Sequence, residues 1–66
     1  MAVARVTTIT SSSEKGFQDA FQIGIDRATS TLRNITGAEI VSQKAKIENA
    51  RVSEYRVTMN VTFILD

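Results

Sequence analysis

Four basic residues offer this 66-residue chain most of what chemistry it has: Lys44, Lys46, Arg51 and Arg56. The first three bracket a hairpin predicted at Glu48-Asn49-Ala50-Arg51 and could hold a phosphate or carboxylate through charge-assisted hydrogen bonds. The plainer reading is a solvated hairpin tip whose charges discourage edge-to-edge pairing. Arg56 stands on the polar side of the last strand, with Glu39 and Glu54 as candidate partners for an ion pair between subunits. Tyr55, its neighbour on the other side, reads as core rather than as a ligand platform. The seven acids are scattered, and none sits in a motif that would pair two carboxylates for acid–base work. Histidine and cysteine are both absent, which excludes disulfides and imidazole or thiolate zinc sites and removes the commonest general base and nucleophile. No glycine-rich phosphate loop, metal-ligand spacing or nucleic-acid motif is present. These residues describe binding rather than turnover, and the chain is not expected to be an enzyme.

The elements that must position them follow from hydrophobic periodicity. From Glu54 to Leu65 the odd positions Tyr55, Val57, Met59, Val61, Phe63 and Leu65 are apolar, while Glu54, Arg56, Thr58, Asn60 and Thr62 are polar. Side chains alternate faces along a strand, so this is a central strand with one oily and one polar side. Residues Ala2 to Thr10, rich in β-branched types, read as a first strand of poor alternation, which an edge position tolerates. Ser13 is the expected N-cap of a helix beginning at Glu14. Phe17, Ala20, Phe21, Gly24, Ile25, Ala28, Leu32 and Ile35 recur at helical spacing and form its apolar stripe. Gly24 on that stripe is expected to permit close approach to the sheet, and Ile23 lies on the polar side. The helix is expected to stop between Asn34 and Gly37, where Gly37 can take a left-handed conformation. A second strand is predicted over Ala38 to Ile47, with neither face cleanly oily, and Asn49 is the best candidate for positive φ in the turn.

The order is β-α-β-β, an α+β single domain over residues 1–66 in which a three-stranded antiparallel sheet wraps one helix and the C-terminal strand is central. One helix can cover only one face of three long strands, and a chain of this size buries only about 60% of its unfolded surface. Oligomerisation is the expected remedy, because disulfides and structural zinc are excluded. The net charge of +1 gives no argument for nucleic-acid or membrane partners. No apolar run approaches the roughly 18 residues of a membrane span, no signal peptide precedes the first strand, and the lack of cysteine fits a cytoplasmic protein.

Four pieces of the chain carry a resemblance. Thr10-Ser11-Ser12-Ser13-Glu14-Lys15-Gly16-Phe17 is a serine-rich entry into a helix with an aromatic in its first turn. Ile25-Asp26-Arg27-Ala28 is followed by Thr31-Leu32-Arg33-Asn34-Ile35, then by Ala38-Glu39-Ile40 and by Tyr55-Arg56-Val57-Thr58-Met59-Asn60-Val61-Thr62-Phe63. In order, spacing and total length the whole chain resembles the dodecins, small β-α-β-β proteins that assemble as hollow homododecamers and bind flavins. The resemblance implies a non-catalytic binding and storage protein with a small-molecule ligand (FMN, riboflavin or FAD in the family) at subunit interfaces. It places Gly37 where a flavin-stacking aromatic, usually tryptophan, stands in the family, and Arg56 where a flavin-contacting glutamine stands. Glu39 and Gln43 join Arg56 as candidate polar contacts. Glycine offers no ring, and arginine has donors but no acceptor, so the flavin site is altered. Arginine could instead stack on a ring or engage a phosphate. The alternative implied is a structural or ion-associated assembly that binds no flavin.

Overall fold

The computed structural model describes residues 2–65. Strand β1 (Val3–Ser13) leads into helix α1 (Phe17–Thr31), followed by β2 (Ile35–Glu48) and β3 (Arg51–Leu65). The strands form one sheet in the order β1-β3-β2, and β3 pairs antiparallel with both neighbours. The alternation read from residues 54–65 therefore belongs to the central strand. Val57, Met59 and Val61 are fully buried, and with Ala20 and Ala28 of α1 they make the core. Ile9, Phe17, Phe21, Ile25, Leu32 and Ile35 pack around them.

Helix α1 lies over β1 and β3 and leaves β2 largely uncovered. At Gly24 the helix lies close against the sheet. A methyl group there would stand 2.6 Å from Met59 Cε and 3.2 Å from Ser11 Cβ, inside any van der Waals contact. The molecule is drawn out to 51 × 19 × 13 Å, and Ile40, Val41 and Ile47 of β2 are exposed. A sheet of this length under a helix of 15 residues leaves apolar surface that one chain cannot bury.

Several boundaries differ from the sequence reading. The first strand runs on to Ser13, so Ser13 is not the N-cap and Glu14 is not helical; Gly16 precedes the helix. The Ser13 hydroxyl still serves the entry, accepting from the Lys15 amide at 2.9 Å and donating to Asp19 Oδ2 at 2.6 Å. It is the local turn that a short hydroxyl side chain favours over a helical cap. At the other end α1 stops at Thr31, and the left-handed residue is Asn34, with φ 60°, rather than Gly37. Asparagine tolerates that region, which leaves Gly37 free to sit inside β2. Leu32 and Ile35 reach the core from the connection and from β2, not from the helix as the stripe implied. The hairpin loop is only Asn49 and Ala50, both with positive φ (52° and 62°), which is the backbone twist a two-residue turn needs to join twisted strands.

Candidate functional site

The face of the sheet away from the helix, here the outer face, is built by the even positions of β3. From Arg56 to Thr62 each has a partner on both sides. Ser12, Arg56 and Lys44 form one row across the three strands, Thr10, Thr58 and Ser42 the next, then Thr8, Asn60 and Glu39, and then Val6, Thr62 and Gly37. Two of these rows are tied by side-chain hydrogen bonds. The Thr8 hydroxyl donates to Asn60 Oδ1 at 2.6 Å, and the Thr10 and Thr58 hydroxyls lie 3.0 Å apart. β3 can hold such an array because its other side is locked into the core.

Arg56 is fixed by its own strand. Its Nε and Nη2 donate to Glu54 Oε2 at 3.1 and 2.9 Å, the two residues lying two apart on one face. The Ser12 hydroxyl and the Arg56 guanidinium hold the Glu54 carboxyl below its ordinary value by hydrogen bonding to its charged form. The ion pair expected for Arg56 thus has Glu54 as its partner, within one chain. Glu39 lies opposite Asn60, four positions and about 13 Å along β3 from Arg56. Lys46 pairs with Glu48 at 3.3 Å, whereas Lys44, directly opposite Arg56, has no side-chain partner among the described residues. The outer face therefore offers one free ammonium beside one guanidinium already engaged.

Of the four residues singled out as a binding set, three share this face and one does not. Gly37, Glu39 and Arg56 align with even positions of β3, but Gln43 pairs opposite Val57 and stands on the helix side. Gly37 and Arg56 are separated by six positions along β3, about 20 Å, so one small ligand cannot touch both in a single chain. Gly37 is exposed, has no positive φ, and a methyl group built there would meet nothing within 4 Å. Neither the backbone nor packing within the chain requires glycine at this position.

Every ring lies on the other side. Phe17 and Phe21 are on α1, Tyr55 and Phe63 are at odd positions of β3, and Phe17 meets Tyr55 edge to face at 5.0 Å. The outer face can hydrogen-bond and pair charge but provides no aromatic surface for a planar ligand. The sequence reading missed Lys44 as the neighbour of Arg56. Counting back from the turn would set Lys44 opposite Tyr55; an extra residue at Ser53 shifts the register by one, and another at Val41 shifts it back.

Comparison with known proteins was decisive about kinship. The family model described as Dodecin matches residues 3–66. A dodecin of Thermus thermophilus is 33% identical over 64 residues, spanning 97% of this chain and 93% of that protein. Among solved structures, the dodecin from Streptomyces davaonensis superposes with a TM-score of 0.94 at 35% identity, covering 98% of this chain and 96% of that one. A tryptophan-to-phenylalanine variant of the Thermus thermophilus dodecin gives a TM-score of 0.94 at 32% identity over 100% of this chain and 98% of the other.

Proposed function

The chain belongs to the dodecin family, and on that premise we propose that it is a non-catalytic, self-assembling binding and storage protein for a planar or phosphorylated small molecule of the flavin class. It assembles as a homododecamer, and its ligand is held on the outer face at contacts between subunits. The observation that carries the reading is the state of Gly37: a glycine in a strand interior, exposed, that neither φ nor neighbouring atoms require. Such a glycine costs about 0.5–1 kcal/mol against alanine; it borders the register shift between Ile35 and Gly37, and its bare, exposed backbone leaves room for something from outside the chain to approach. The 20 Å between Gly37 and Arg56 fits a site shared between copies, in which Gly37 of one subunit and Arg56, Glu39 or Lys44 of another face one ligand. Gln43, on the helix side, belongs to a different surface.

Flavin itself fits this face incompletely. The chain contains no tryptophan, and none of its four other aromatic side chains is on the outer face. What the face does supply is charge: Lys44 has no side-chain partner among the described residues, and Arg56, whose two bonds now share the one oxygen Glu54 Oε2, can exchange it for a phosphate that offers a guanidinium two oxygens. The reading therefore requires FMN to bind more tightly than riboflavin. Titration of the purified protein with both, followed by quenching of flavin fluorescence, tests it. Saturable binding with the phosphorylated ligand favoured supports the proposal, and no saturation by either up to about 100 μM (weaker than about −5.5 kcal/mol) removes flavins from it.

One observation favours a second reading. Arg56 is already engaged by Glu54, and Glu54 by Ser12 as well, so this ion pair forms without a ligand. An assembly in which that network only stiffens a subunit contact would behave as a structural particle, and it would show neither flavin quenching nor a preference for phosphate.

A further inference from the structure

One flank of α1 is unused by the outer face. Asp19, Ile23 and Arg27 recur every four residues and so share a flank of the helix. It is the flank beside β1, where Ile23 and Arg27, with Leu32, border a groove of about 490 Å³ floored by Ile9, Gly24 and Ala28. Ile23 is 45% exposed, the one exposed large apolar side chain of the helix. Arg27 has no side-chain partner among the described residues, and Asp19 is engaged only through Oδ2, by Ser13. β1 is an edge strand of the sheet, so the groove runs along a row of backbone groups that no strand covers.

We infer that this flank is a two-fold contact between copies of the chain, with two α1 helices antiparallel and Ile23 packed on the partner's Ile23 at the axis. The spacing selects that occupant. Asp19 and Arg27 lie four residues to either side of Ile23, so an antiparallel pairing centred there sets each Arg27 against the partner's Asp19, twice over. A parallel pairing would set like charge against like charge. Any other occupant must present an anion and a cation about 12 Å apart around an apolar centre, which is what a reversed copy of this helix presents.

This contact rests on the self-assembly proposed above, and cross-linking separates the two claims. The chain has no cysteine, so Ile23→Cys introduces a single thiol. At the axis of two antiparallel helices its Cα atoms fall within disulfide range. Mild oxidation should convert most of the Ile23→Cys protein to covalent dimer, at least about tenfold more than Gln18→Cys, which lies on the opposite flank and serves as the collision control. Adding Arg27→Asp should cut the Ile23→Cys yield about tenfold by turning two weak attractions into repulsions. Adding Asp19→Arg as well should restore it. Asp19 also accepts from Ser13, so if the exchanged variant does not fold, the Ile23→Cys comparison decides alone. A monomer by light scattering would overturn both the assembly and this contact. An intact assembly in which Ile23→Cys stays unlinked, or links no better than Gln18→Cys, would overturn this contact only.

Discussion

The two sides of β3 are made by alternate residues of one strand, yet they are built on different physical terms. On the odd side Val57, Met59 and Val61 are fully buried under α1, and the fit is tight enough to exclude a methyl group at Gly24. On the even side Arg56, Thr58, Asn60 and Thr62 are half-buried or exposed, and the first three are linked by hydrogen bonds and an ion pair to neighbours on β1 or on β3 itself. The odd side holds the fold together by removing apolar surface from water, which is worth roughly 25 cal/mol per Å². The even side contributes little net energy per contact, because exposed polar pairs exchange water for protein at about even terms. A chain can therefore change its even side widely while keeping its fold.

Substitutions on the two sides should separate in size. Met59→Ala deletes a fully buried side chain and should cost about 2–5 kcal/mol, enough to abolish a cooperative thermal transition in a chain this small; circular dichroism melting checks it. Gly24→Ala would be favoured in an isolated helix. Here it should instead destabilise by about 1–3 kcal/mol in urea titration, since the added Cβ meets Met59 and Ser11. Thr58→Ala on the even side breaks the pair with Thr10 and should cost no more than about 1 kcal/mol in the same titration. A loss as large as that of Met59→Ala would erase the contrast. Away from both faces, Ala50→Gly should stabilise by about 1 kcal/mol, because alanine is held at φ 62° in the hairpin loop.

The Glu54 carboxyl gives the even side a pH dependence of known sign. Its pKa is lowered from 4.5 in the folded chain, so the unfolded state binds the proton first. Its contribution is present above that ordinary value and is lost as the pH falls through the lowered one. Glu54→Gln should flatten the part of the stability–pH curve below pH 4.5, measured as urea midpoints at stepped pH, and leave the neutral region nearly unchanged.

How legible these sides were in the sequence differs in the same way. The odd side follows from alternation, since Tyr55 through Leu65 can bury a face only as a strand, and the helical stripe from Phe17 to Ala28 supplies its cover. Boundaries failed where two residues compete for one role. Asn34 and Gly37 can both take a left-handed turn, and only packing decides between them. On β2 the face was illegible because strict alternation over Ala38 to Ile47 mixes Ile40 with Lys44. The extra residue at Val41 lets Ala38, Ile40, Gln43 and Ala45 share the helix side, while Glu39, Ser42, Lys44 and Lys46 share the outer side. A bulge depends on the partner strand, and no local pattern records it. Arg56 and Gly37 were singled out through a resemblance, but their separation along the sheet and the removal of Gln43 to the other side required the register.

We propose that Gly37 marks the ligand position and that the ring missing there limits flavin affinity. FMN titration of the natural chain beside Gly37→Trp tests it most directly, since the space in front of Gly37 is open and its backbone suits any residue. One stacked ring is worth about 0.5–1.5 kcal/mol beyond the area it buries, so the variant should bind FMN roughly tenfold more tightly or better, with deeper quenching. Equal affinities in two equally assembled proteins would contradict the claim, because the ligand would then lie somewhere other than against Gly37.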